Sequence, residues 1–423
     1  MVNKYLYWNK DLEIRKYETG RSLLAIKNNY KNERLAKTDV QTYKLNNNTI
    51  EIIGLIDGTK TYEEIIFLLS SKYNESSKRT REKLAIFFEK ITHLYGIKIN
   101  EQESTQRINM NIVEKYIYPQ VASVEITNKC NIKCMHCYGD FSCIENKIMT
   151  LEQIKSVLND LKDIGVRKVE FTGGEATVNA NIKEILLHAI KLDFDNISLL
   201  INGVVISDEV IDIIIKNNSK IYAKVDLHSL NDEYLTWFTK EPNILESAKN
   251  NIIKLANNNV KLKVETIATR KNIHEIEDIA DWVHNLGVRN YGIRPATFMG
   301  RASSSDSDLY LNLEDFKCVS DTLERINKKY KSDASFTEGV RSRSKSFGFL
   351  TPHVTVSYNR DINICSMDKL EYFNSSIGNI FEKNIKEIYY EKAEYIKDFL
   401  NLGDPIFSSL DFKDCEQKSF YSN

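Results

Sequence analysis

The stretch VASVEITNKCNIKCMHCYGD, Val121–Asp140, decides how this 423-residue chain is read. VASVEIT reads as a strand, rich in β-branched residues. It runs into three cysteines, Cys130, Cys134 and Cys137, spaced C-x3-C-x2-C with no fourth. Three thiolates on a short loop at a strand end suit a cubane [4Fe-4S] cluster in which three irons take cysteine and one stays open. An iron with an open site can chelate the amino and carboxylate groups of a small molecule and pass an electron into it. The alternative is a zinc site with His136 as fourth ligand. His136 directly precedes Cys137, a poor geometry for closing one tetrahedron, and zinc knuckles use two separated cysteine pairs.

Outward from this loop, strands alternate with helices, the pattern of a parallel sheet built from right-handed crossovers. Strands are expected at 121–127, 168–172, 197–201, 221–227, 261–269 and 290–296, with helices starting near Leu151, Asn181, Asp208, Ile244, Ile273 and Leu313. Six such units make a partial, TIM-like (β/α)6 barrel, an α/β fold with its chemistry at the C-terminal strand ends. Residues 1–103 read as a separate small α+β unit. In it RSLLAIKN and RLAKTDVQTYKL have strand character, one helix ends near Asp57-Gly58, and a second follows Thr61, an N-cap with Glu64 three residues on. A third amphipathic helix carries Leu84, Phe87, Phe88, Ile91 and Leu94 on one stripe. Polar QESTQRINMN (Gln102–Asn111) reads as a linker, 115–310 as the barrel and 311–423 as a small C-terminal α+β extension.

Lys+Arg total 58 against 59 Asp+Glu, so nothing global argues for nucleic acid or an anionic membrane as partner. Residues 1–100 hold 18 Lys+Arg against 12 Asp+Glu, a basic surface that an acidic peptide could meet and that equally serves as a solvated face. No secretory h-region follows MVNKYLYWNK and no long apolar run occurs, which reads as a cytoplasmic protein. Seven cysteines, three in one loop, suit a reducing compartment where clustered thiols mean metal or catalysis.

The C-x3-C-x2-C loop, with aromatic Tyr138 after its last cysteine, resembles the signature of the radical S-adenosylmethionine (SAM) superfamily. The next strand ends in FTGGE, and the resemblance sets Gly173, Gly174 and Glu175 against the methionine amino group of SAM. Two residues without Cβ admit close backbone approach, and a carboxylate faces an ammonium. Asn202-Gly203 ends the third strand as in related enzymes. Asp226, in VDLHSLN, falls where relatives contact the SAM ribose or methionine end, although their Ser-Leu-Asp-Gly pattern is absent here; His228 also reads as a satisfied loop histidine. Arg294 and Arg301 after the sixth strand are candidates for a carboxylate or phosphate, or for salt bridges.

YKLNNNTIEIIGLIDGTKTYEEIIFLLSSKY resembles the winged-helix-like precursor-recognition domain of ribosomal peptide maturation systems, through Tyr43, Leu45, Asn46, Ile56–Gly58, Thr61, Leu94 and Gly96. The resemblance implies that a leader peptide adds to the sheet edge between 34–42 and Arg81–Tyr95. The tail resembles a SPASM domain that has lost its ligands: Phe347, Phe412 and Tyr421 stand where cysteines would be, Arg360 replaces the usual glycine, and Cys365 and Cys415 remain.

These resemblances imply a peptide-modifying radical SAM enzyme using one [4Fe-4S] cluster and SAM, a precursor peptide bound through its leader, and an electron donor such as flavodoxin or ferredoxin. The modification is epimerisation or a thioether or carbon–carbon crosslink. Cys365 and Cys415, with Cys143 third, are candidate hydrogen donors to a substrate radical. The alternatives are a radical SAM enzyme acting on a small metabolite or cofactor, and an inactive leader-binding partner of a maturase. If the tail holds no auxiliary cluster, anaerobically reconstituted protein should contain about four irons per chain; eight or twelve by metal analysis would overturn that reading of the tail.

Overall fold

The computed structural model describes residues 5–8, 12–17, 22–26, 43–44, 47–95, 99–100, 110–116, 118–139, 141, 149–296, 300–304, 306–330, 335–338, 353–364 and 376–396. The chain divides into two compact units, one drawn from residues up to Ile117 and one running from Tyr118 onward.

In the first unit, β1 (Tyr5–Trp8) lies between β5 (Asp57–Thr61) and β6 (Ile99–Asn100). A second sheet has the order β4 (Tyr43–Lys44), β3 (Ser22–Ile26), β2 (Leu12–Tyr17), β7 (Met110–Tyr116), with β2 and β7 parallel. The helices are α1 (Asn47–Leu55), α2 (Tyr62–Tyr73) and α3 (Ser77–Tyr95). Leu6, Trp8, Ile53, Ile56, Ile65, Ile66 and Leu84 form a core of their own, and the Trp8 indole donates to the Ile53 carbonyl at 3.2 Å. The expected Thr61 cap is present: its hydroxyl accepts from Glu64 N, and the Glu64 carboxylate accepts from Thr61 N at 2.7 Å.

Two expectations change here. The helix expected to end near Asp57-Gly58 ends at Leu55 and Asp57-Gly58 opens β5, while the final two residues of the expected linker, Met110 and Asn111, begin β7. Residues 34–42, one side of the expected leader groove, lie outside the described residues.

The second unit is a ten-stranded sheet. Its strands are β8 (Val121–Thr127), β9 (Lys168–Gly173), β10 (Asn196–Ile201), β11 (Ile221–Asp226), β12 (Lys261–Ala268), β13 (Asn290–Pro295), β14 (Ser335–Glu338), β15 (His353–Val356), β16 (Asp361–Asn363) and β17 (Ser376–Asn379). The order is β14-β13-β12-β11-β10-β9-β8-β15-β16-β17, parallel from β14 through β15 and antiparallel beyond. Its helices are α4 (Leu151–Asp163), α5 (Ile182–Lys191), α6 (Asp208–Lys216), α7 (Asp232–Thr239), α8 (Leu245–Asn257), α9 (Ile276–Asn285), α10 (Leu313–Lys329) and α11 (Ile385–Glu391).

All six expected strands are present within a residue at either end. The sheet goes further, because β14 adds to β13 and β15 adds to β8, giving eight parallel strands in an open array. These additions are four residues each, too short to carry a period in the sequence. Helix α7 was also not expected; Asn231 caps it, accepting from Glu233 N and Tyr234 N. Arg360 has φ of 80°, the left-handed backbone that glycine adopts freely, and its guanidinium lies 3.7 Å from the Phe381 ring centroid. The other tail positions, Phe347, Cys365, Phe412, Cys415 and Tyr421, lie outside the described residues, as does Cys143.

Strand alternation divides the sheet chemically. Ala122, Val124, Ile126, Val169, Phe171, Val225, Leu262 and Val264 are buried in the apolar core with the helices. Ser123, Glu125, Glu170, Lys224, Glu265 and Arg294 share the other face, which their mutual contacts and strand register establish. Within the first unit, Thr61→Ala should weaken α2 by about 1 kcal/mol, seen as about fivefold faster amide exchange along α2; unchanged exchange would show that the cap contributes nothing.

Candidate functional site

The three-cysteine loop follows β8 directly. Ile132 and Met135 are buried and anchor it, while Lys133 points to solvent. Its backbone is held from three directions. Gly174 N donates to Thr127 O and Glu175 N to Lys129 O, both at 2.8 Å, which continues the β8–β9 ladder into the loop. Lys133 N donates to Thr239 O at 2.8 Å and Met135 N to Phe238 O at 2.9 Å, using the last carbonyls of α7. From after β13, Arg301 N donates to Cys137 O at 2.9 Å, and the guanidinium donates to the carbonyls of Cys134, at 2.7 Å, and Phe141.

Cys130, Cys134 and Cys137 are all free thiols. Burial pushes Cys130 up to about 11. It pushes Cys134 well above the usual thiol range, and the neighbouring Cys130 and Cys137 add to this. Burial therefore favours the neutral thiol at Cys130 and Cys134, and a bound cation would favour the thiolate. Yet among the described residues no three His, Cys, Asp or Glu side chains converge closely enough to share one ion. His136 does not close a site with the cysteines. Its ring stacks on Phe238 at 4.9 Å and 10°, and burial, helped by Arg301, brings it down to about 4, so it is neutral at working pH. The zinc alternative therefore loses its fourth ligand.

The Gly-Gly pair meets protein backbone. A Cβ on Gly173, where φ is 119°, would sit 2.1 Å from Thr127 O, and one on Gly174 would sit 2.1 Å from Lys129 O. The absence of side chains lets strand end and cysteine loop pack together, a constraint that stands beside any need for ligand approach. Glu175 is buried, and burial raises its carboxyl. One oxygen accepts from Thr177 N at 2.9 Å and from the Thr177 hydroxyl; the other accepts from Asn202 N at 2.6 Å. The Asn202 amide donates to Asn131 inside the cysteine loop at 2.8 Å. Glu175 and Asn202 are thus tied together and to the loop.

Tyr138 donates to Glu125 at 3.0 Å across the polar face. Further along that face, Lys168 and Lys224 each lie 3.0 Å from Glu170. Against its burial, they hold Glu170 well below the usual carboxylate range. Arg294 and Lys263, with Lys224, likewise hold Glu265 at about 2 despite burial. Asp226 has no such pair. Burial and then the carboxylates of Glu265 and Glu175 push it well above the usual range. Arg294 is exposed and 3.4 Å from Glu265, the salt-bridge reading, whereas Arg301 donates to the backbone carbonyls of Cys134 and Phe141. His228 is buried and accepts from Ile267 N through Nδ1, the satisfied loop histidine. Cys365 and Cys415 are not among the described residues.

Residues 124–283 match the Radical SAM superfamily. The antilisterial bacteriocin subtilosin biosynthesis protein AlbA of Bacillus subtilis (strain 168) is 24% identical over 365 residues, covering 85% of this chain and 79% of that protein. The GTP 3',8-cyclase of Clostridium perfringens (strain SM101 / Type A) is 30% identical over 174 residues, covering 40% of this chain and 51% of the cyclase, so the chain spans about half of that relative. Among solved structures, Streptococcus suis SuiB bound to S-adenosylmethionine has a TM-score of 0.64 at 13% identity, covering 96% of this chain and 90% of SuiB. The complex of SuiB with precursor peptide SuiA has a TM-score of 0.62 at 14% identity, with the same coverage. Residues 124–283 thus carry the likeness to a family that uses a [4Fe-4S] cluster and SAM.

A raised folded-state pKa for Asp226 means that stability falls as pH rises from the ordinary value of 3.8. Asp226→Asn should therefore raise the unfolding midpoint of metal-free protein at pH 7, the gain vanishing below about pH 3.8, where the carboxyl is protonated folded and unfolded alike. Equal midpoints at both pH values would sink this account of Asp226.

Proposed function

We propose that the chain is a radical SAM enzyme that modifies a ribosomally made precursor peptide, and that its N-terminal unit, about residues 1–103, reads the leader. The observation that carries this is the reach of the match to AlbA. It covers 85% of the chain, more than everything after Ile117, and so includes part of the first unit. The likeness to the cyclases covers only 40% of the chain and supports the small-metabolite alternative over that share alone.

In this reading Cys130, Cys134 and Cys137 hold three corners of the cluster. When bound, the cluster supplies the electron that cleaves SAM to methionine and a 5'-deoxyadenosyl radical, which takes a hydrogen atom from the peptide. The chain's own contribution is orientation and exclusion of water. Glu175, fixed by Thr177 and Asn202, offers a rigid carboxylate for the methionine ammonium. Tyr138 on Glu125 and the Gly173-Gly174 backbone set the distance between cysteine loop and second strand. Asp226, flanked by two carboxylates, is poised to accept hydrogen bonds from a ribose or a cationic group. Arg294 faces outward for a substrate carboxylate. Cys365 and Cys415 stand as candidate hydrogen donors. Flavodoxin or ferredoxin supplies electrons, and 311–423, whose described strands extend the central sheet, holds no auxiliary cluster of its own.

Anaerobic incubation with SAM, dithionite and a co-occurring short precursor should yield 5'-deoxyadenosine and a modified peptide, with leaderless peptide turned over at least about tenfold more slowly. In heavy water an epimerised residue gains one deuterium from solvent-exchanged thiol, whereas a crosslink loses two hydrogens and gains none. Turnover of a small metabolite without peptide would remove the maturase reading; no 5'-deoxyadenosine would leave the leader-binding partner.

A further inference from the structure

The cysteine loop is joined to the protein surface by a column of aromatic rings that the functions above do not use. His136, between Cys134 and Cys137, stacks on Phe238. Phe238 stacks on Tyr234 with centroids 5.6 Å apart and planes at 17°, and Tyr234 meets Trp237 at 5.4 Å. His136, Tyr234 and Phe238 are enclosed, with Tyr234 and Phe238 buried in the core, but Trp237 is only half-buried. The helix that carries these rings, α7, also binds the loop backbone through Phe238 O and Thr239 O.

At its outer end the column is ringed by cations. Lys271 Nζ lies 4.3 Å from the Trp237 ring centroid and Lys240 Nζ 5.9 Å, both on exposed residues, and exposed Lys133 sits where the loop meets Thr239. The acidic groups nearby are Asp308, 3.2 Å from Lys271, and exposed Glu241 beside Lys240; Asp232 and Glu233 lie at the opposite end of α7. Three lysines against two carboxylates around a half-exposed indole make a modest positive patch with an apolar centre. That combination suits brief, electrostatically steered encounters with an acidic protein.

We infer that the face formed by Trp237, Lys133, Lys240 and Lys271 docks a small acidic one-electron carrier protein, from which the electron reaches the cysteine loop along Tyr234, Phe238 and His136. The step exchanges one electron only: the carrier is oxidised, the centre held by the three thiolates is reduced, and no proton or atom moves. The inference rests on the radical SAM reading of the loop, which alone requires such a donor.

The test compares the reconstituted full-length parent with a Lys240→Glu/Lys271→Glu double variant, using reduced flavodoxin and, separately, dithionite. With flavodoxin at low ionic strength, the variant should form 5'-deoxyadenosine at least about tenfold more slowly. Its affinity for flavodoxin, read from flavin fluorescence, should fall in parallel. Added salt should slow the parent and leave the variant nearly unchanged. With dithionite, which needs no docking face, the two forms should cleave SAM equally. Equal flavodoxin rates and affinities would overturn the docking face, as would equal losses with both reductants, which mark a structural defect. A parent that makes no 5'-deoxyadenosine with dithionite would overturn the function proposed above and this surface with it.

Discussion

The site depends on a backbone contact that a single methyl group would prevent. Thr127 O and Lys129 O sit 2.1 Å from where side chains on Gly173 and Gly174 would begin, so the end of β9 packs flush against the strand-to-loop junction. The β8–β9 register slips between Glu125 and Thr127, an irregularity of the kind that re-aims a strand end. The two amide hydrogen bonds that follow carry the sheet's order one step into the cysteine loop. A loop of eight residues with two apolar anchors does not fix its own conformation against chain entropy. It is fixed here because a strand end, a helix C-terminus and an arginine each take part of its backbone. Helix α7 and Arg301 are distant in sequence, so the loop is shaped by the finished fold rather than by its own propensities.

The polar face of the sheet follows a second constraint, that a buried charge must be paired or neutral. Glu170 sits between Lys168 and Lys224, and Glu265 between Lys263 and Arg294. Each carboxylate has two cations, an arrangement costly to assemble in an apolar interior and sensible around a space meant for a polar ligand. Asp226 is the exception: burial and the carboxylates of Glu265 and Glu175 outweigh Arg294 and Lys263 and keep its carboxyl well above the usual range. A carboxyl kept in such company is unfavourable for the empty protein and favourable for one holding a hydrogen-bond donor or positive group.

The sequence made the central sheet legible because its strands are six to eight residues long and separated by helices with strong apolar periods. The cysteine spacing was legible because metal chemistry dictates it. Elsewhere a residue type leaves more than one partner open. Gly173 and Gly174 were read as making room for a ligand, but room for a neighbouring carbonyl leaves the same trace in a sequence. Arg301 was read as meeting an anion or a salt-bridge partner; its guanidinium serves carbonyl oxygens, which every residue carries and no motif reports. Helix α7 is eight residues long and was absorbed into the loop after β11, although Asn231 and the apolar YLTWF run marked it. Arg360 shows the reverse: it was noted as standing where relatives have glycine, and its left-handed backbone is the conformation glycine would supply.

Division of the chain into two units bears on how function is distributed. The first unit has a buried core of its own around Trp8, Ile53 and Ile65, so its order does not depend on occupancy of the cysteine loop. The second holds the loop, the Gly-Gly-Glu turn and the polar sheet face. A reaction confined to a small metabolite needs only the second set. Keeping a separately folded first unit is reasonable when the substrate is too long and too unstructured to be selected at the reaction site itself. A peptide captured elsewhere pays its ordering cost there, and the reactive residue then arrives at a raised local concentration without the sheet face having to recognise more than a few side chains. The same physics explains why a site built from common parts, a carboxylate on a turn and an unpaired aspartate, need not be specific by itself.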